Sequence, residues 1–197
     1  KYPKPPFPKQ DQQPPGTEAD LVPKADHGEK SYKGSGKLKG KKAIITGGDS
    51  GIGRAVAIAF AREGADVLIS YLDDSEDEDA KLTADYVTDA GAKAILVKGD
   101  IRKESHCREI IDTAIRELGG LDILVNNAAF QMARKNMQEI TAEEWDRTFQ
   151  TNITAMFYLC KAAEPHLKPG SSIINTTSVN AYSPNEQLLP YAATKGA

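Results

Sequence analysis

The stretch "KAIITGGDSGIGRAVAIAFAREG", residues 42–64, decides how this chain is read. Its opening, "KAIIT" (42–46), is a short apolar run of the length of a buried strand. Its close, "IGRAVAIAFAREG" (52–64), reads as a small-residue helix stopped by Gly64. Between them, "TGGDSGIG" (46–53) sets Gly47, Gly51 and Gly53 where a strand turns into a helix. Glycine lets the backbone turn tightly and approach an anion, and a helix N-terminus presents free N–H groups to it. Strand, glycine turn and helix in that order point to a pyrophosphate site. No Lys-Ser or Lys-Thr follows the last glycine, which excludes a P-loop, and the spacing TGxxxGxG departs from GxGxxG.

Outward from that unit the pattern repeats. "DVLISY" (66–71), "AILVKG" (94–99), "LDILVNN" (121–127) and "SSIINTTS" (171–178) read as further strands. "EDEDAKLTADYVTDAG" (76–91) reads as a helix with acids at its N-terminus, where the helix dipole favours them. "SHCREIIDTAIRELGG" (105–120) carries Ile110, Ile111, Ala114, Ile115 and Leu118 on one stripe. "TAEEWDRTFQTNITAMFYLCKAAEPHL" (141–167) reads as one long helix, opened by a Thr141/Glu144 capping box and ended near Pro165. Trp145 is expected in the core. Alternating strands and helices predict right-handed βαβ units and an α/β fold, a parallel sheet with helices on both faces.

Residues 1–40 have another texture and are read as an N-terminal extension to a domain spanning 41–197. The first 24 residues hold seven of the eleven prolines, so this stretch should be extended and outside any sheet. It is either a disordered tail or an arm packed on its own or a neighbouring subunit, with Tyr2, Phe7, Leu21 and Val22 as anchors.

The net charge of -3 argues against a nucleic-acid binder. No apolar run approaches a membrane span, and the Lys- and Pro-rich start has no signal-peptide core. Cys107 and Cys160 have no metal spacing and suggest no disulfide framework; both are expected as idle thiols in helices. His27, His106 and His166 lack metal or triad spacing and are expected to pack or to lie at the surface. A cytoplasmic protein without a bound metal fits these features.

Several motifs together resemble the short-chain dehydrogenase/reductase family. They are TGxxxGxG at 46–53, "GD" at 99–100, "NNAA" at 126–129, Asn152, Ser178, and Tyr191 with Lys195 in YxxxK, thirteen residues after Ser178. Ala129 stands where the family has a glycine. The block "TGGDSGIGRAVA" and the Pro-rich leader look most like a bacterial glucose/ribitol dehydrogenase-like or general-stress subgroup. The resemblance implies a doubly wound Rossmann-type sheet of order 3-2-1-4-5, extended by strands 6 and 7 in a complete member. It also implies a nicotinamide dinucleotide, a small alcohol or carbonyl substrate, and a homo-oligomer, tetramer or dimer.

The resemblance assigns catalysis to Asn152, Ser178, Tyr191 and Lys195. It assigns the dinucleotide to Gly47, Asp49, Ser50, Gly51, Ile52, Gly53, Tyr71, Leu72, Asp100, Ile101, Asn127, Ala128 and Ala129, with Tyr191 and Lys195 at the nicotinamide end. The physics stands beside it. A free phenol is too weak a base near neutrality, and a nearby cation favours its phenolate. Ser178 would donate to the substrate oxygen as charge develops, and Asn152 would hold a water relaying protons towards Lys195.

The cofactor is expected to be NAD(H) or NADP(H), with the acidic tip favouring NAD(H). Asp66 lies at the usual count for a ribose-binding acid but should begin its strand, at the wrong end. The tip at Tyr71-Leu72 has no arginine and is followed by "DDSEDED" (73–79), six acids in seven residues, which would repel a further phosphate. Arg54, after the last glycine, could still reach the area. The segments 129–136 and 179–190, with Gln131, Met132, Asn180, Tyr182, Gln187 and Leu188, should line the substrate pocket. They suit a polyol, a sugar or a small carbonyl compound. Family members continue past YxxxK, so the chain is expected to be truncated there. A cofactor-binding module without turnover is the alternative function in that form.

Overall fold

The computed structural model describes residues 3–12 and 18–197. Tyr2 lies outside the described residues. Five parallel strands form one sheet in the order β3-β2-β1-β4-β5. They are β1 (Lys42–Thr46), β2 (Asp66–Tyr71), β3 (Ala94–Lys98), β4 (Ile123–Asn126) and β5 (Ser172–Asn175). The first crossovers are α1 (Gly51–Arg62), α2 (Asp77–Asp89) and α3 (Glu104–Leu118). After β4 come α4 (Ala142–Phe149) and α5 (Ala155–Ala163), and α6 (Leu189–Gly196) follows β5.

Alternation along the strands explains the layers. Ala43, Ile45, Val67, Ile69, Ile123 and Val125 pack on the α1/α2 side with Ala57, Ala61 and Val87. Ile44, Leu68 and Leu124 point the other way, against Ile110, Ile111 and Ala114 of α3 and Leu159 of α5. Both faces of the inner strands are therefore buried, as near-continuous apolar runs require. Each fully buried Ile or Leu contributes roughly 1.5–3 kcal/mol.

β5 differs. It pairs with β4 in register, Ile123 opposite Ser172 and Asn126 opposite Asn175, yet all four of its residues are exposed. It is also shorter than the run 171–178 predicted.

The predicted helix 141–167 is broken. A π segment, Gln150–Thr154, separates α4 from α5, and a 3-10 turn, Glu164–His166, ends the run at Pro165. The Thr141 cap forms, its hydroxyl accepting the Glu144 N–H at 3.1 Å. The Glu144 carboxylate turns instead to Arg134. Trp145 is not in the core: it is 38% exposed and stacks on Phe149 with ring centroids 5.0 Å apart. With Met137, Ile140 and Leu189 it borders a shallow apolar hollow. Cys107 is buried and Cys160 half-buried, both free thiols on helices. No helix among the described residues is long and apolar enough to cross a membrane.

From Glu18 onward the N-terminal segment packs on the same chain, through polar contacts and through Leu38 against the core on the α1/α2 side. Phe7 and Val22 are exposed, so two of the expected apolar anchors do not hold it. Tyr32 Oη donates to Glu63 at the end of α1, as do the Ser35 and Lys37 N–H groups at 2.9 and 2.8 Å. The Arg62 guanidinium donates to the carbonyls of Gly28, Glu29 and Tyr32.

Candidate functional site

The turn after β1 is fixed by its neighbours. The Gly47 N–H donates to Ser70 O of β2 at 2.7 Å. The Thr46 hydroxyl accepts the N–H groups of Asn127 and Ala128 at 3.0 and 3.1 Å. The Asn127 amide donates to the carbonyls of Thr46 and Gly47, both at 3.1 Å. Close approach explains two glycines. A Cβ on Gly53 would lie 1.8 Å from Gly47 O, and one on Gly47 would lie 3.0 Å from the Ala128 Cα. Gly51 has open space around it, but its φ of +52° lies where side chains are disfavoured.

The mouth of this turn fits a phosphate. Ser50 stands at the N-cap of α1 without a side-chain cap bond, and the first turn carries no acid. Gly51 and Ile52 are exposed there, Ile52 at 67%. Behind the mouth, Arg54 is buried at 3% exposure. Its guanidinium donates to the Asp49 carbonyl at 3.0 and 2.7 Å, to the Thr83 hydroxyl at 2.8 Å and to Asp79 at 2.7 Å. Its Nη1 also pairs with Glu18 of the N-terminal segment. The Asp49 carboxyl is buried, and burial pushes its pKa up.

The tip of β2 is acidic but partly answered. The Leu72 N–H donates to Glu76 at 2.7 Å, and burial raises the Glu76 pKa. Tyr71 is half-buried, its phenol pushed up by burial and then by a hydrogen bond to Asp77. Lys98 pairs with Asp74 and Asp77. Asp66 pairs with Lys42 at the other end of β2, away from the turn. After β3, burial raises the Asp100 carboxyl, but the Arg102 fork and N–H more than offset it and hold it low. Ile101 is buried beside it, and Ala129 is exposed after β4.

Ser178, Tyr191 and Lys195 come from the segments that follow β5. The Ser178 Oγ accepts the Asn180 N–H at 3.2 Å and caps the turn Val179–Ala181, against which α6 packs. Pro190 sits in the first turn of α6, where its missing N–H costs nothing. Tyr191 and Lys195 stand one turn apart, with Nζ 5.6 Å from the ring centroid. Lys195 is 8% exposed, and burial lowers its pKa. Its Nζ donates to the Thr176 carbonyl at 2.7 Å. Thr176 in turn donates to the Asn127 side-chain oxygen at 3.5 Å. A short series of contacts therefore links the glycine turn to Lys195 across the ends of β4 and β5.

Asn152 is buried in the π segment, and its side chain binds Phe130 and Thr194. Its amide donates to Phe130 O at 2.9 Å and to the Thr194 hydroxyl at 3.0 Å, and its oxygen accepts the Phe130 N–H at 2.7 Å. It holds the segment after β4 against α6. Thr194, inside the YxxxK stretch, and Glu18 were not singled out from the sequence. Thr194 could have been found as the polar residue next to Lys195; nothing in the sequence around Glu18 points to the turn.

A parallel sheet of order β3-β2-β1-β4-β5, with a glycine turn between β1 and α1 and helices on both faces, defines a Rossmann-type α/β fold. Residues 41–197 match the family model for short chain dehydrogenase, and the chain belongs to that family. It is 52% identical over 183 residues to General stress protein 39 of Bacillus subtilis (strain 168), covering 93% of this chain and 63% of that protein. It is 42% identical over 196 residues to Glucose and ribitol dehydrogenase of Daucus carota, covering 97% of this chain and 67% of that protein. A crystal structure of a short chain dehydrogenase from Burkholderia cenocepacia J2315 in complex with NADP superimposes with a TM-score of 0.78. That match has 36% identity and covers 82% of this chain and 65% of the other. The chain thus spans about two thirds of the length of these relatives.

Proposed function

We propose that the protein is an oxidoreductase that moves a hydride between a nicotinamide dinucleotide and an alcohol or carbonyl compound. The observation that carries this reading is the buried Lys195 ammonium, 5.6 Å from the Tyr191 ring and joined through Thr176 and Asn127 to the glycine turn. The residues present fit the dinucleotide. Gly47, Ser50, Gly51, Ile52 and Gly53 would hold its phosphates, Tyr71, Leu72, Asp100 and Ile101 would flank the adenosine end, and Asn127, Ala128 and Ala129 would lie under the ribose.

The bound nicotinamide supplies a carbon that takes up or gives back the hydride. Tyr191 accepts the proton of the substrate hydroxyl as the carbinol C–H bond breaks, and returns it in the reverse direction. Lys195 stabilises the negative charge on the Tyr191 oxygen, and Ser178 donates to the substrate oxygen. Asn152 acts by holding Phe130 and Thr194 in place. Nothing in this set requires a metal.

For the substrate, the name of the carrot relative supports a sugar or polyol. For the cofactor, the NADP bound in the Burkholderia relative supports NADP(H), against the NAD(H) expectation from the acids at 73–79. The test is a nicotinamide absorbance assay over polyols, sugars and small ketones with NAD⁺ and NADP⁺ in parallel. Turnover with one of them supports the reading. Dinucleotide binding without turnover on any of these classes would leave a binding module instead.

A further inference from the structure

The N-terminal segment places a carboxylate on the amide that a cofactor phosphate needs. Glu18 Oε1 accepts the Gly51 N–H at 2.6 Å. Its Oε2 pairs with the Arg54 Nη1. The Arg54 pair is largely buried, the Glu18 side chain being 13% exposed and that of Arg54 3%, while Gly51 itself stays exposed. His27 backs it, with Nε2 2.8 Å from Glu18 Oε1 and its own side chain 8% exposed. The segment is then tied to α1 a second time, by Tyr32, Ser35 and Lys37 on Glu63. Glu18 is therefore held over the turn by its own contacts and by an anchor at the far end of the same helix.

We propose that Glu18 is an internal competitor for the dinucleotide: a carboxylate that occupies the phosphate-binding end of α1 and must leave before the cofactor binds. The inference rests on the cofactor reading above and adds its regulation. A phosphate oxygen on the Gly51 N–H would need the position that Glu18 Oε1 holds, and two anions do not share one donor. Like charges at contact distance would repel as well. Displacement has a second effect. Glu18 leaves Arg54 with Asp79 and the Asp49 carbonyl but frees the Nη1 donor. The departing carboxylate thus exposes one N–H and one guanidinium donor together, the pair of groups an incoming phosphate uses. The apparent affinity is the intrinsic one multiplied by the fraction of molecules in which the segment is away.

The experiment is calorimetric titration of NADP⁺ and NAD⁺ into the protein and its Glu18→Ala and Glu18→Gln variants, with hydrogen exchange of residues 18–27 followed alongside. Glu18→Ala should bind the preferred dinucleotide about tenfold more tightly, as expected for a segment closed in roughly nine molecules of ten. Glu18→Gln, which keeps an acceptor but not the charge, should fall between. In the unsubstituted protein, saturating dinucleotide should speed exchange at 18–27. Equal dissociation constants, or weaker binding by Glu18→Ala, overturn the competition and leave the cofactor reading standing. Slower exchange on binding overturns it too, because Glu18 would then be part of the occupied site. If none of the three proteins binds either dinucleotide, the cofactor reading fails and the competitor with it.

Discussion

The two ends of the candidate site are built differently. At the glycine turn, five segments converge: β1, β2, the Asn127 stretch after β4, Thr83 and Asp79 of α2, and Glu18 from the N-terminus. Thr46, Asp49 and Arg54 are buried there, and Arg54 is multiply bonded. At the Tyr191–Lys195 end, Pro190, Ala192, Thr194 and Lys195 of α6 are buried, and fewer hydrogen bonds hold them: Asn152 to Thr194, Lys195 to Thr176 O, and the Thr177 hydroxyl to Lys195 O. The strand beneath it, β5, is exposed throughout. A phosphate site needs fixed amides, and rigidity serves it directly. A proton-transfer pair needs a tuned charge, and a single buried ammonium supplies that with less scaffolding.

The largest expected effect comes from the end with less scaffolding. Tyr191→Phe removes one oxygen and leaves the packing of α6 intact. Turnover should fall by about 10²–10⁴-fold, the usual contribution of a positioned acid/base, while the dinucleotide dissociation constant stays within about twofold. A variant that kept full turnover would remove the acid/base role. One that lost turnover and binding together would show that the two ends are less separable than their contacts suggest.

The next effect falls on the turn. Gly53→Ala would bring a Cβ to 1.8 Å from the Gly47 carbonyl oxygen, which is backbone and cannot swing aside. Overpacking of this kind costs typically 1–3 kcal/mol, about 2–12 °C in melting temperature for a chain of this size, and it should also weaken dinucleotide binding. Gly91→Ala is the control. It has open space around it but a φ of +83°, so it isolates the conformational cost from the steric one. If Gly53→Ala destabilised no more than Gly91→Ala, the close packing of the turn would not be what holds that end rigid.

The glycine end was legible in the sequence because its chemistry is local. Strand, turn and helix are contiguous, and Gly53 and Gly51 answer backbone requirements within a few residues, whereas the approach of Gly47 to Ala128 is long-range. The pair Tyr191/Lys195 was legible for the same reason, being one helical turn apart. What was hidden depends on distance or on ladder geometry. The contact of Glu18 with Gly51 spans 33 residues and has no periodicity to announce it. The π segment at Gln150–Thr154 interrupts a run whose apolar spacing looks continuous, because side-chain pattern does not report one residue added to the hydrogen-bond ladder. Trp145 was misplaced because the face of α4 that carries it ends at a shallow hollow rather than in the core. Arg54 could be seen to lie near the turn, but not that it would be buried with its donors already engaged.

The smallest effect sharpens the comparison by loosening one end alone. Glu63 sits at the C-terminal end of α1, where the helix dipole disfavours an acid. Its hydrogen bond from Tyr32, then those from the N–H groups of Lys37 and Ser35, outweigh that and lower its pKa from the ordinary 4.5 to about 2. A depressed carboxyl contributes stability that is fully present above the unfolded value and lost as pH falls through the folded one. The Glu63 anchor should therefore be complete above about pH 4.5 and weaken towards about pH 2. Glu63→Gln puts an amide where two backbone N–H donors need an acceptor, so it should speed hydrogen exchange at Ser35 and Lys37 near neutrality. The gap between variant and unsubstituted protein should narrow as pH drops through that window. Exchange at Thr194 and Lys195 should not respond. A gap that stayed constant with pH would mean that the Glu63 charge does not hold the segment. A response at Lys195 would mean that the two ends of the site move as one body, against their separate contacts.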